Sequence, residues 1–225
     1  MSIDEILATA KQIGKRYTNN WRRLGIPWYD HRYDWARGPE NWMWLERGIL
    51  GHHYIREGDR VLDLCCGDGM FSGLVFSKKA SMVHGVDRNS QAITLARELY
   101  TRSNVEFFER DILTDEFPAP EYDTVLFYQA LEHFTHKQID CLLNKITATL
   151  APDGILFGST ILLGINHNDE HAVEFTCVEE VKRLLALHFK HVITWTTIWK
   201  KTRTEVYFLC SQNEIEGKNG GRNGH

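Results

Sequence analysis

The residues best suited to chemistry begin in the stretch Val61 to Gly73, VLDLCCGDGMFSG. An apolar run ending at Asp63 gives way to Gly67 and Gly69 and then to a helix-compatible segment, the pattern of a strand, a tight loop and a helix start. Such loops hold nucleotides. The spacing departs from the dinucleotide fingerprint, because the third small position falls on Ser72 and a carboxylate stands four residues before Gly67. A pyrophosphate is held by backbone N–H groups and a helix N-terminus, whereas a carboxylate at a strand tip suits a ligand that carries an amine. Asp87 ends the next apolar run, 18 residues past Gly69, where an ionised carboxylate accepts from two vicinal ribose hydroxyls. Asp111 ends a third run and precedes Ile112, so it can accept from an adenine amino group while the aliphatic chain covers the ring. A nucleoside with an amine and no phosphate meets these demands, and S-adenosylmethionine is one.

A second group of candidates follows the fourth apolar run. QALEHF places Gln129, Glu132 and His133 on what should become one helical face, and INHNDEHAVEF supplies His167, Asp169, Glu170 and His171. His133, His167 and His171 are candidate general bases, because imidazole titrates where a base must work. The competing reading makes His133 a packing or helix-start residue and the loop histidines solvated.

Both groups need a scaffold, and from Arg60 onward strands and helices alternate as in a parallel sheet covered on both faces. The pattern predicts strands over RVLDLC, MVHGVD (82–87), VEFFERD (105–111) and YDTVLFY (122–128), and a fifth over 155–162 after an APDG turn. Helices are predicted over Met70 to Lys79, Asn89 to Tyr100, from a capping box at Thr135 and Gln138 to about Leu150, and from a second at Thr176 and Glu179 to about His188. HVITWTTIW and EVYFLC read as an antiparallel closing pair joined by a short basic connection, Lys200 to Arg203.

The N-terminal part has a different texture. Ser2 and Glu5 form a capping box for an amphipathic helix, and eight tryptophans and tyrosines then crowd the 34 residues from Trp21 to Tyr54. Pro27 and Gly38-Pro39 break any continuous helix through them. Seven basic residues between Lys11 and Arg37 face only Asp30 and Asp34. Residues 1–56 are therefore expected to form an aromatic-rich helical lid, 57–211 the main domain, and 212–225, polar and rich in Gly and Asn, a disordered tail.

Composition narrows the classes. With 225 residues and 43% hydrophobic content the chain can bury one sizeable core. Its net charge of −4 gives no global attraction to nucleic acid or an anionic membrane. No apolar run approaches the roughly 20 residues of a membrane span. The start MSIDEILATA has acids where a signal peptide has bases, so a cytoplasmic location is expected. The five cysteines show no C-x-x-C spacing and are expected to be reduced, buried and structural.

Through VLDLCCGDG, HGVDRN, ERDI, YDTVLFYQALEHF and LAPDGILFGST, the chain from about Arg60 to Cys210 resembles the class I S-adenosylmethionine-dependent methyltransferase family. The resemblance implies a Rossmann-like α/β fold, a seven-stranded, mostly parallel sheet with helices on both faces and an antiparallel last strand pair. It also implies that Asp63, Gly67, Asp68 and Gly69 hold the methionine end of the cofactor. Asp87 and Arg88 would hold the ribose, Asp111 and Ile112 the adenine, and Tyr128 would line the sulfonium side.

Methyl transfer needs alignment first, worth roughly 7–11 kcal/mol, and a base typically adds about 10²–10⁴-fold. A hydroxyl acceptor benefits from that base more than an amine does. The QALEHF segment also resembles the E-x-x-E-H of quinone-biosynthesis O-methyltransferases and of RNA 3′-terminal 2′-O-methyltransferases, which implies a divalent cation. Gln129 stands at the first acid, however, and a neutral amide is a poorer ligand for a hard cation. No metal is expected. The sequence reading is thus a methyltransferase acting on a hydroxyl, less readily an amine, of a small-molecule or glycan acceptor, with nucleic acid not expected as a partner. Its alternatives are an RNA 3′-terminal ribose 2′-O-methyltransferase and an inactive cofactor-binding partner subunit.

Overall fold

A computed structural model describes residues 42–162, 171–200 and 203–214. The N-terminal capping box, the aromatic-rich segment before Trp42, His167 and the tail from residue 215 lie outside these described residues.

β1 (Arg60–Leu64) is the third strand in a seven-stranded sheet of order β3-β2-β1-β4-β5-β7-β6. The others are β2 (Met82–Asp87), β3 (Val105–Glu109), β4 (Tyr122–Tyr128), β5 (Leu150–Ile161), β6 (His191–Lys200) and β7 (Arg203–Ser211). Strands β1 to β5 pair in parallel, and β7 is antiparallel to both β5 and β6. The fold is therefore the Rossmann-like mixed sheet with an antiparallel last pair. Strand order reverses between β1 and β4, which opens a crevice at the carboxyl ends of the strands.

Alternation of side chains along each strand divides the core in two. Leu62, Leu64, Val125 and Phe127 face one layer, which holds α4 (His136–Thr149) and α5 (Val178–Ala186) through Ile139, Leu142, Leu143, Ile146, Val181 and Leu185. Val61, Val83 and Leu126 face the other, packed by Ile93 and Ala96 of α3 (Ser90–Tyr100), Phe71 of α2 (Met70–Leu74) and Leu50 of α1 (Met43–Tyr54). α1 approaches closely: a Cβ at Gly51 would lie 2.4 Å from the Tyr128 hydroxyl.

Several local expectations need correction. The helix expected over Met70 to Lys79 is split into α2 and a 3₁₀ turn, Phe76–Lys78. β3 stops at Glu109 because Asp111 starts a turn, accepting from the Leu113 N–H while its own N–H bonds Asp115. APDG does not precede β5 but bulges within it, between the pairs Tyr122–Leu150 and Thr124–Ile155. The box at Thr135 and Gln138 forms as expected, but Thr176 bonds Glu180 rather than Glu179, and Cys177 is the N-cap. All five cysteines are free, but only Cys210 is buried: Cys65, Cys66 and Cys177 are partly buried, and Cys141, on α4, is exposed.

Candidate active site

The loop from β1 to α2 is shaped by three left-handed residues, Cys65 (φ 58°), Gly67 (φ 57°) and Gly69 (φ 71°). Gly69 has a second constraint, because a Cβ there would lie 2.3 Å from the Phe107 ring. Cys65 and Cys66 pack toward opposite core layers, and burial pushes both thiols well up, so they remain protonated packing groups.

Asp63, near the tip of β1 and 4% exposed, accepts from the Ser72 hydroxyl at 2.5 Å. The small residue at position 72 thus supplies a donor that orients the carboxylate. Asp87 ties β2 to the glycine loop: Oδ2 accepts from the Gly67 N–H at 2.9 Å and Oδ1 from Asn89 N–H at 2.8 Å. Asp68 is fully buried, its Oδ1 accepting from the Met70 N–H at the start of α2. Arg88 is exposed beside Asp87. Asp111 lies two residues beyond the end of β3, half-buried, and Ile112 sits in the core at 5% exposure. The Tyr128 hydroxyl donates to the Arg47 carbonyl at 3.2 Å, and burial raises its phenol well above the usual range.

At the tip of β4 the chain turns sharply through Gln129 (φ 42°) into a 3₁₀ turn, Leu131–His133. The expected single face for Gln129, Glu132 and His133 does not form. Ser159 has the parity of Phe157 and points to the α1 layer, whereas Thr160 has the parity of Leu156 and points to the α4 layer. Gln129 goes with the first, its amide donating to Glu205 Oε2 at 2.5 Å. Glu132 goes with the second, accepting from Thr160 Oγ1 at 2.7 Å.

His171 is delivered by the chain returning after β5. Leu162 bridges Phe175, and the Ala172 and Val173 N–H groups both donate to the Glu132 carbonyl. This brings the His133 and His171 rings to 5.2 Å between centroids, edge to face. One donor atom from each of Glu132, His133 and His171 lies within 4.8 Å of the others. Desolvation raises the carboxyl of Glu132, which is 2% exposed. His133 and His171 are therefore brought together beside Glu132.

Sequence reasoning did not find Glu132 as the group between the two histidines, nor the network behind Gln129. Glu205, on β7, is 0% exposed and accepts from Arg47 of α1, Ser159 and Gln129. Trp44 covers the Arg47 guanidinium at 3.9 Å. Glu205 stands at the head of EVYFLC, directly after the polar KTRT, so the sequence carried little sign that its carboxylate is buried and paired.

A methyltransferase-domain model matches residues 61–154. The ubiquinone biosynthesis O-methyltransferase of Neisseria meningitidis serogroup C is 30% identical over 174 residues, 75% of this chain and 68% of that protein. The phosphoethanolamine N-methyltransferase of Plasmodium falciparum is 29% identical over 65% of this chain, which spans 59% of that relative's length. Among solved structures, phosphoethanolamine N-methyltransferase 2 of Haemonchus contortus, bound to phosphomonomethylethanolamine and S-adenosylhomocysteine, has a TM-score of 0.64 at 15% identity, over 81% of this chain and 56% of that one. With the strand order, the glycine loop and these similarities together, the chain belongs to the class I S-adenosylmethionine-dependent methyltransferase family.

Proposed function

We propose that the enzyme methylates a hydroxyl group of a small-molecule or sugar-like acceptor. The observation that carries this reading is the meeting of His133, His171 and buried Glu132 at the carboxyl edge of the sheet, one strand from the glycine loop. An amine acceptor has little need of such a cluster, whereas a hydroxyl must lose a proton as it attacks. The relatives include both N- and O-methyltransferases, so resemblance alone does not choose between them.

S-adenosylmethionine, when bound, supplies a methyl group on a sulfonium, which leaves as a neutral thioether. In our reading Asp63, oriented by Ser72, takes the amine of the methionine end. The loop of Gly67 and Gly69 receives the backbone of that end, and Asp68 acts from beneath by holding the start of α2. Asp87 takes the ribose hydroxyls with Arg88 beside it, Asp111 and Ile112 border the adenine, and Tyr128 lines the sulfonium side. The acceptor oxygen forms its bond to the methyl carbon as the S–CH₃ bond breaks and the electron pair stays on sulfur. The hydroxyl proton passes to an imidazole, His133 or His171, with Glu132 steadying the positive charge that results.

The test is transfer of labelled methyl from S-adenosylmethionine into a cell extract, followed by separation into nucleic acid, lipid or glycan, protein and small-molecule fractions. Label in the small-molecule or glycan fraction, lost in His133→Ala, is the expected result. RNase-sensitive label would replace this reading with a terminal ribose 2′-O-methyltransferase. No label in any fraction, with cofactor still bound, would leave a partner subunit.

A further inference from the structure

We infer that Gln129 is a positioning residue, whose amide bond to Glu205 holds a strained turn and thereby sets the His133 imidazole against His171. The inference rests on the proposed use of the imidazoles for its effect on turnover, and on geometry for the rest. Gln129 has a φ of 42°. That left-handed conformation is uncommon for a residue other than glycine, and it persists where the surroundings hold it. The Gln129 N–H donates to the Ser159 carbonyl at 2.7 Å, and its side-chain amide donates to Glu205 Oε2 at 2.5 Å. The first bond extends the ladder between β4 and β5, and the second ties the side chain to β7.

The direction of His133 depends on that hold. From Gln129 the chain passes through Ala130 straight into the 3₁₀ turn Leu131–His133. The far end of the turn is fixed on the opposite side of the sheet, where Glu132 accepts from Thr160 Oγ1 at 2.7 Å and its carbonyl accepts from the Ala172 and Val173 N–H groups. The turn is thus pinned at residue 129 toward α1 and at residue 132 toward α4. His133 is exposed, so little packing surrounds it and its direction follows from the backbone at the two pins. The result is the edge-to-face approach of its ring to that of His171, with 5.2 Å between centroids.

The chemistry of residue 129 fits this role. Glu205 is 0% exposed, its Oε1 takes Arg47 and Ser159, and its Oε2 faces residue 129. An ionised carboxylate only accepts, so residue 129 must bring a donor. An amide does so without adding a charge beside a buried ion pair. A carboxylate of the same length would meet Glu205 with no proton between them. Glycine would take the left-handed conformation freely but would bring no amide.

The experiment uses the full chain. The ring signals of His133 and His171 are assigned in proton NMR spectra by their loss in His133→Ala and His171→Ala. Magnetisation transfer between the two rings is then measured in the parent, in Gln129→Gly, in Gln129→Glu, and in the exchanged pair Gln129→Glu with Glu205→Gln. Each variant is first checked for its native circular dichroism spectrum and for binding of S-adenosylhomocysteine, and Gln129→Gly, free of backbone strain, keeps the test open if Gln129→Glu fails to fold. Expected are transfer in the parent, its loss in both single variants, and its return in the exchanged pair, where the amide at 205 donates to the carboxylate at 129 and one negative charge still stands beside Arg47. Methyl transfer from labelled S-adenosylmethionine into cell extract should follow the same order, with losses of about 10²-fold, as for a misplacement of about 1 Å. Inter-ring transfer that survives in Gln129→Gly, or stays absent in the exchanged pair, would overturn the inference. Transfer lost while labelling is undiminished would overturn the proposed role of the imidazoles instead, and would leave the placement of His133 by Gln129 standing.

Discussion

Arg47 and Glu205, 158 positions apart, form an ion pair sealed from solvent, with 2.9 Å between Nη2 and Oε1 and side chains 2% and 0% exposed. The pair fastens α1 to β7 beside the turn that carries the proposed acceptor cluster. Removing one partner of such a pair leaves a buried charge uncompensated, at a cost of about 3–5 kcal/mol. Glu205→Ala should lower unfolding stability by that amount in urea titrations. Replacing both residues by Met should recover most of the loss, because no charge is then stranded. A double variant no more stable than the single one would mean that Gln129 and Ser159, not Arg47, are what Glu205 serves.

Asp87 makes a different prediction, because it serves both the loop and the ligand. Its two oxygens already accept from Gly67 and Asn89. Asp87→Ala should therefore loosen the glycine loop as well as remove the proposed ribose contacts. Hydrogen bonds to a charged group are worth about 1.5–3 kcal/mol each, so S-adenosylhomocysteine affinity measured by calorimetry should fall by at least about tenfold. An enzyme loses turnover with it. Affinity within about twofold of the parent would remove Asp87 from the cofactor site.

The parts legible in the sequence were those governed by local pattern. The run VLDLCCGDG pointed to a strand, a tight loop and a strand-tip carboxylate because each depends on residues a few positions apart, and the seven-stranded, mostly parallel sheet with its antiparallel last pair followed from the family resemblance. What was not legible depended on parity across strands. Nothing in QALEHF says that residue 129 turns toward β7 while residue 132 turns toward Thr160, because that follows from which face of β5 each position meets. Asp111 shows the limit at shorter range: its carboxylate was read as a strand tip, but Asp115 four residues on made a turn more favourable.

Arg60 and Asp123 give a pH-dependent prediction away from the site. The Arg60 backbone N–H, Nε and Nη2 all bond the Asp123 carboxylate, at 2.8, 3.0 and 3.2 Å. These bonds hold its carboxyl below the ordinary value, the side-chain contact with Arg60 leading. A depressed folded-state value adds stability that is fully present above the unfolded value, about 3.9, and is lost as pH falls through the folded one. Asp123→Asn should thus be less stable than the parent at pH 7, and the gap should close as both are titrated below about pH 4. A gap that stays constant down to pH 2 would show that the backbone bond, not the charge, matters.

His133 and His171 separate chemistry from folding. His133 is exposed and His171 half-buried, and substitutions at such positions usually change stability by less than about 0.5 kcal/mol. His133→Ala should keep its urea midpoint and its S-adenosylhomocysteine affinity. Turnover should fall by about 10²–10⁴-fold, the usual worth of assisting a proton transfer. The loss should appear in kcat, since the proposed role is exercised as the acceptor gives up its proton, and the double variant with His171→Ala should be little worse than either single one because the two imidazoles act as a unit. Loss confined to KM would make the pair a binding surface for the acceptor, and full turnover in the double variant would turn the search from hydroxyls to amines.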